Sequence, residues 1–251
     1  MNKPGKTVLS LNGLTMVFGG LIAVNDFHFQ LQEGDLAGLI GPNGAGKTTI
    51  FNMITGQYIP TKGEIIFFDR VLNHLAPHVI TSLGIARTFQ NIRLFGNLSV
   101  LDNVLVTFHK GLNKSFLNAM WGTPSYVTRE KAMIEEGQRL LEAVGLLNMA
   151  DEEAKNLPYG QQRRLEIARA LATHPQLLLL DEPAAGMNPH ETMDLMKFIQ
   201  KIRREFNLTI LLIEHDMKVV MGICERVAVM DFGIKIAEGT PDEIRKNPKV
   251  I

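Results

Sequence analysis

The sequence predicts an α/β fold: a parallel or mixed sheet covered by helices, with antiparallel strands near its start and a helical segment inserted before its second half. Three observations carry this. Residues Gly41-Pro42-Asn43-Gly44-Ala45-Gly46-Lys47-Thr48 form a glycine-rich phosphate loop, the Walker A pattern, between an apolar run, Leu36–Ile40, and a helix-like segment. After residue 157, helical stretches alternate with short continuous apolar runs, as in a parallel sheet buried on both faces. Between residues 98 and 157 the β-branched alternation of the opening disappears and helical spacing takes over.

Taken in order, the alternating runs at 8–11, 27–31 and 64–68 lie between Gly and Pro turns. They read as strands, several of them antiparallel hairpin partners of the nucleotide-binding sheet. Leu36–Ile40 reads as a buried strand that delivers the loop. Gly41, Gly44 and Gly46 let the backbone curl so that N–H groups converge on phosphate oxygens, and the next helix adds the positive end of its dipole. Lys47 supplies a mobile charge for the β- and γ-phosphates, and the Thr48 hydroxyl is an oxygen ligand for Mg²⁺. The loop with Thr49 behind it is therefore the candidate nucleotide cradle. A helix over 49–55 puts Ile50, Met53 and Ile54 on one face and stops at Gly56. Within the insertion, 129–147 places Met133, Leu140, Leu141, Val144 and Leu147 near helical spacing. A helix over 163–173, a strand over 176–180, a helix over 191–204 and a strand over 208–213 follow. Thr240-Pro241-Asp242-Glu243 is a capping box that opens a short final helix, which Asn247-Pro248 ends.

Composition narrows the function. With 251 residues, 45% of them hydrophobic, the chain can bury one large core or a core with a subdomain. Lys plus Arg and Asp plus Glu number 26 each, so no charge excess points to a nucleic acid partner. The single Cys224 excludes an internal disulfide and a Cys-rich zinc site, and as a small buried hydrophobe it fits a reducing compartment. No apolar run reaches the roughly 18–20 residues a spanning helix needs. The lysines near the N-terminus have no apolar stretch behind them, so no secretory signal is predicted and a cytoplasmic location is the expectation.

The reaction is written further along. Leu177 to Leu180 form a strand that delivers Asp181-Glu182 at its C-terminal edge, where sheets of this kind place their ligands. Asp181 is positioned to hold Mg²⁺, and Glu182 to polarise a water in line with the γ-phosphate.

With both Walker motifs in place, nearly the whole chain resembles the ATP-binding subunits of ABC transporters. Phe18 lies where the family has an adenine-stacking aromatic. Gln90, in Thr88-Phe89-Gln90-Asn91, falls at the glutamine that senses Mg²⁺ and the γ-phosphate. His215, in Ile213-Glu214-His215-Asp216, stands at the switch histidine. The resemblance implies a P-loop NTPase of the ABC ATPase fold, with a mixed or parallel core sheet, an antiparallel β-subdomain and an inserted helical subdomain at 98–157. It implies a single ATP-binding domain over 1–251, with ATP and Mg²⁺ as ligands. It assigns Glu182, His215 and Gln90 to catalysis, and Thr48, Gln90 and Asp181 to the metal.

Two departures stand out. The family signature Leu-Ser-Gly-Gly-Gln is here Leu157-Pro158-Tyr159-Gly160-Gln161, leaving Gly160 and Gln161 as its nucleotide-facing candidates, and the D-loop carries Asn188 in place of Asp. Pro158 offers neither a hydroxyl nor an N–H, and Tyr159 adds bulk. The subgroup that serves branched-chain amino acid importers, the LivG type, is similar at those same places. It implies a partner ATPase subunit, identical or not, two membrane-spanning permease subunits and an external solute-binding protein. It places the chain at the cytoplasmic face of the inner membrane, and such subunits usually end a few residues beyond Ile251. The apolar set Phe108, Leu112, Phe116, Leu117, Met120, Trp121 and Tyr126, with Phe89 and Phe95, is the expected dock for the permease, hinged at Gln90. An exporter or lipopolysaccharide-extraction ATPase, or a soluble nucleotide-switched clamp, would share the catalytic residues. The clamp relatives carry long coiled-coil insertions or paired cassettes, which this chain lacks.

Overall fold

A computed structural model describes residues 5–108 and 124–251, the side chains at 124–127 excepted. The described chain divides into two compact units, one of residues up to Gln90 with Pro175–Ile251, the other Asn91–His174.

The first unit contains two sheets. Strands β1 (Thr7–Phe18), β2 (Leu21–Gln32), β4 (Lys62–Phe67) and β5 (Arg70–Val71) form an antiparallel sheet in the order β2-β1-β4-β5. The second sheet has six strands in the order β10-β9-β3-β8-β7-β6: β3 (Leu36–Ile40), β6 (Ile85–Arg87), β7 (Leu177–Asp181), β8 (Thr209–Ile213), β9 (Arg226–Asp231) and β10 (Ile234–Gly239). Its pairings are parallel except for the β9–β10 hairpin.

This corrects the reading of several early strands as partners of the nucleotide-binding sheet and agrees with the antiparallel β-subdomain that the resemblance implies. They form a sheet of their own, because β1 gives one edge to β2 and the other to β4. They are also longer than the alternation indicated. Register shifts between Leu11 and Leu14, and between Leu14 and Met16, break the two-residue period without ending the strand. Gly13, at φ 62, sits inside the first of these shifts. Strands β3, β7 and β8, by contrast, are buried at every position, which is why they read as uninterrupted apolar runs.

Helix α1 (Lys47–Ile54) buries Ile50, Phe51, Met53 and Ile54, and Gly56 at φ 72 turns the chain away. At the other end of the loop, Gly41 is obligatory. A Cβ there would lie 2.1 Å from the carbonyl oxygen of Met230 on β9, and φ is 150°. The short α2 (Pro77–Ser82) precedes β6.

The second unit is helical: α3 (Val100–Phe108), α4 (Pro124–Val144) and α5 (Tyr159–Leu171), with short turns at Leu147–Met149 and Ala154–Asn156. It is wider at both ends than 98–157, because α5, read from sequence as the first helix after the insertion, packs on α3 and α4. Arg163 of α5 is fully buried and pairs with Glu166 at 2.6 Å. Asn103 is buried too, and both accepts from the N–H and donates to the carbonyl of Phe95, at 2.9 and 3.0 Å, fixing the turn that carries that exposed ring. Of the expected docking set, Leu112, Phe116, Leu117, Met120 and Trp121, and the side chain of Tyr126, lie outside the described residues.

The chain returns to the first unit with α6 (Pro189–Glu205), α7 (Met217–Ile223) and α8 (Pro241–Lys246). Asn188 caps α6 in a capping box with Glu191, and Thr240 with Glu243 does the same for α8.

Candidate active site

Strand β3 ends at Ile40 and the chain enters α1 through Gly46 at φ 99. Asn43, Gly44, Gly46, Lys47, Thr48 and Thr49 line an open cleft of about 650 Å³, together with Leu21, Ile22, Phe232, Gln90 and Glu182. Lys47 is buried, and its Nζ donates to the carbonyls of Gly41 at 2.7 Å and Pro42 at 2.9 Å. Burial pulls its pKa down, opposed by the carboxylates of Glu182 and Asp181. An ammonium whose hydrogen bonds go to neutral carbonyls has charge to give an anion in the cleft, and nothing lies within 4 Å of a Cβ placed at Gly44.

The carboxylates sit at the end of β7. Asp181 is almost fully buried, and its Oδ2 accepts from the Arg87 guanidinium at 2.7 Å. Arg87 closes β6, which runs beside β7, and it also donates to Asn52 of α1 at 2.7 Å. Its guanidinium lies 5.4 Å from the Phe51 ring centre and 5.1 Å from that of Phe89. Glu182 follows with a left-handed φ of 45°, its N–H donating to Ile213 of β8 at 2.9 Å. Its Oε2 accepts from Gln90 Nε2 at 2.9 Å and lies 3.4 Å from His215 Nδ1. Two residues from two other loops, Gln90 and His215, thus converge on one oxygen of Glu182. Thr48, Asp181 and Gln90 provide hydroxyl, carboxylate and amide oxygens, the hard donor set that Mg²⁺ takes.

Comparison with known proteins places this arrangement. Residues 24–185 match the ABC transporter family, and 235–251 match the branched-chain amino acid ATP-binding cassette transporter family. The chain belongs to the ABC transporter family. It is 49% identical over 244 residues to the high-affinity branched-chain amino acid transport ATP-binding protein LivG of Escherichia coli, covering 97% of this chain and 96% of that one. It is 48% identical over 251 residues to the corresponding protein BraF of Pseudomonas aeruginosa, covering 100% and 97%. An ATP-binding cassette of an ABC transporter crystallised in its ADP conformation superposes with a TM-score of 0.85 at 30% identity, covering 97% of this chain and 96% of that one. A nucleotide-free cassette gives 0.84 at 30% identity, covering 97% of each. The chain has the ABC ATPase fold and is an ATP-hydrolysing enzyme of that family.

The remaining ABC motif residues are placed as follows. Gly41 and Pro42 border a neighbouring cleft beside His215, and Ala45 is buried under the loop. Phe18 is 40% exposed at the end of β1, its ring edge-on to Tyr58 at 5.2 Å, and the apolar side chains that line the cleft are Leu21, Ile22 and Phe232. Gly160 and Gln161 lie in the first turn of α5 in the helical unit, where Pro158 is the N-cap and gives no side-chain hydrogen bond. The Tyr159 hydroxyl accepts from the buried Arg163 at 3.4 Å. Sequence reasoning missed Arg87 and Asn52, whose partners are distant in the chain. It also missed Phe232, at φ 42 and 87% exposed, whose only signal was the adjoining Gly233 turn. Among the described residues no helix is long and apolar enough to cross a membrane.

Proposed function

We propose that this ABC ATPase is the motor of a branched-chain amino acid importer, working with a second ATPase subunit beneath two permease subunits at the cytoplasmic face of the membrane, with solute delivered by an external binding protein. The observation that carries this is the full-length likeness to transport ATPases named for those solutes, together with the match of 235–251 to the branched-chain family. The exposed Phe95, beneath which Arg169 stacks at 4.9 Å, is a candidate part of the permease dock.

In the hydrolysis step, Lys47 and the loop N–H groups hold the β- and γ-phosphates, and Thr48, Asp181 and Gln90 would hold Mg²⁺. The ion supplies charge neutralisation on the phosphate oxygens. Glu182 accepts a proton as water oxygen bonds to the γ-phosphorus and the bond to the β,γ-bridging oxygen breaks, releasing ADP and phosphate. Gln90 and His215 orient that carboxylate, and Phe18 is the proposed platform for the adenine. Gly160 and Gln161 would face the nucleotide of the partner subunit.

The test is purification of the native complex from membranes, followed by reconstitution in vesicles with the proteins that accompany it. Leucine, isoleucine and valine uptake that depends on ATP inside the assembly, and that disappears with Lys47→Ala, supports the reading. A soluble partner with no membrane protein would overturn it.

A further inference from the structure

Glu214 takes no part in the mechanism above, yet it lies between β8 and His215 with no exposed surface. Burying a carboxylate is costly unless its oxygens are satisfied. Here they are met by backbone from two loops. Oε1 accepts the N–H of Ala184 at 2.8 Å, and Oε2 accepts the N–H groups of His215 at 3.2 Å and Asp216 at 3.4 Å. Burial pushes the carboxyl above its ordinary range while those three N–H groups pull it back.

The donors are informative. Ala184 lies two residues beyond Glu182, and His215 is the residue whose ring faces Glu182 Oε2 at 3.4 Å. The last backbone link between the ends of β7 and β8 is Glu182 N–H to the Ile213 carbonyl. Beyond it the Glu214 side chain bonds the backbone of both segments. Glu182 itself is held in the left-handed region, a conformation a non-glycine residue keeps only where its surroundings over-determine it. A neutral or apolar residue would fill the same space without the charge, so packing alone does not account for a carboxylate here.

We propose that Glu214 is a positioning residue: its carboxylate clasps the Glu182-Pro183-Ala184 turn to the His215-Asp216 turn and so fixes the spacing of the Glu182 carboxylate and the His215 imidazole over the cleft. This rests on the reading of Glu182 as the base, and deepens it by naming what holds the base in place. An alanine removes all three bonds. A glutamine keeps one acceptor oxygen but turns an NH₂ group toward backbone donors, so it retains only part of the clasp.

The experiment uses the full chain and three readouts. Hydrogen exchange is the first: in Glu214→Ala the amides of Ala184, His215 and Asp216 should lose protection while those of Leu178 and Leu211 keep theirs. In single-turnover hydrolysis of radiolabelled ATP with the protein in excess, the rate should fall by about 10²-fold in Glu214→Ala, as misplacement of a reacting group by about an ångström does. Glu214→Gln should fall between Glu214→Ala and wild type, and binding of a fluorescent ATP analogue should change by less than about threefold in both. Because Glu214 acts through Glu182, Glu214→Ala added to Glu182→Gln should reduce the rate by no more than about threefold further. Unchanged protection at Ala184, or full additivity in the double variant, would overturn the proposal. If Glu182→Gln alone left turnover intact, the assignment of the base would fail instead, and the exchange result would still decide whether the clasp exists. Should Glu214→Ala fail to fold, Glu214→Gln carries the same measurements, and equal rates for Glu214→Gln and wild type would sink the idea.

Discussion

Replacing Arg87 by methionine tests whether the buried ion pair beside the cleft holds this part of the molecule together. The two side chains are 6% and 7% exposed and meet at 2.7 Å. Methionine fills most of the arginine stem's volume between Phe51 and Phe89, so the loss is chiefly electrostatic. Removing one partner of a buried pair leaves a carboxylate without compensation and typically costs about 3–5 kcal/mol. Loss of the guanidinium from the two rings adds about 0.5–1 kcal/mol, and Asn52 loses its donor. The ammonium of Lys47, close enough to feel Asp181, offsets part of this. The expectation is therefore a net loss of about 3 kcal/mol, at the low end of the range.

Urea unfolding followed by circular dichroism would read this as a drop in midpoint. At a slope of about 1–3 kcal/mol per molar, the shift is about 1 M or more. The pairwise origin is checked by Arg87→Met/Asp181→Asn, which removes both charges and should recover at least half the loss, because no uncompensated carboxylate then remains buried at the end of β7. A single variant within about 1 kcal/mol of wild type, or a double variant no better than the single, would refute the reasoning.

Glu182→Gln should lower turnover by about 10²–10⁴-fold while nucleotide binding persists, since the amide can still accept from Gln90; retention of more than about a tenth of the wild-type rate would exclude the base role. Cys224 has its thiol pushed up to about 12 by burial, against 9.0 unperturbed, so alkylation of the native protein at neutral pH should be slow and should accelerate on unfolding. The folded pKa is the higher one, so the thiol's contribution to stability is complete below about pH 9 and fades as pH rises toward 12; Cys224→Ala should flatten the alkaline limb of a urea-midpoint profile. Pro158→Ser places a capping hydroxyl on α5, which has none, and should stabilise the protein by about 0.5–1 kcal/mol, or about 1–4 °C in melting temperature. Tyr159→Gly should do the opposite, because the buried Arg163 loses an acceptor. A fall in melting temperature with Pro158→Ser would contradict the capping argument.

What the sequence disclosed, and what it withheld, divides by range. The phosphate loop, the strand into Asp181-Glu182 and both capping boxes are local patterns, in which each residue's partner lies within a few positions. Asn188 was noted only as a departure in the D-loop, although Glu191 three residues on already marked it as a cap. The β-subdomain came as a separate unit only from the family resemblance; its residues alone show strands, because nothing in β1 announces that both of its edges are occupied. That the helical unit extends past Leu157 was hidden for a related reason: α5 carries an ordinary helical pattern, and only its packing on α3 and α4 assigns it to the second unit.

The candidate site shows the same limit more sharply. Gln90 and Glu182 are 92 positions apart, Arg87 and Asp181 are 94 apart, and Glu214 stands 30 residues from Ala184. No periodicity links such pairs, since each forms only when parallel strands bring their C-terminal ends to one edge. Resemblance supplied Gln90 and His215 because a family motif stores the outcome of that folding. It gave no role to Arg87 or Glu214, which lie in the same stretches of sequence as the motif residues but find their partners only in the fold. Both are charged and buried within one or a few residues of a motif position. A charged residue that directly adjoins a short apolar strand, as Arg87 does after Ile85-Ala86 and Glu214 after Ile210–Ile213, is therefore the sequence signal to pursue. Such a strand end is buried on both faces, and a charge placed there must find its partner on a neighbouring strand's exit, where the chemistry is also located.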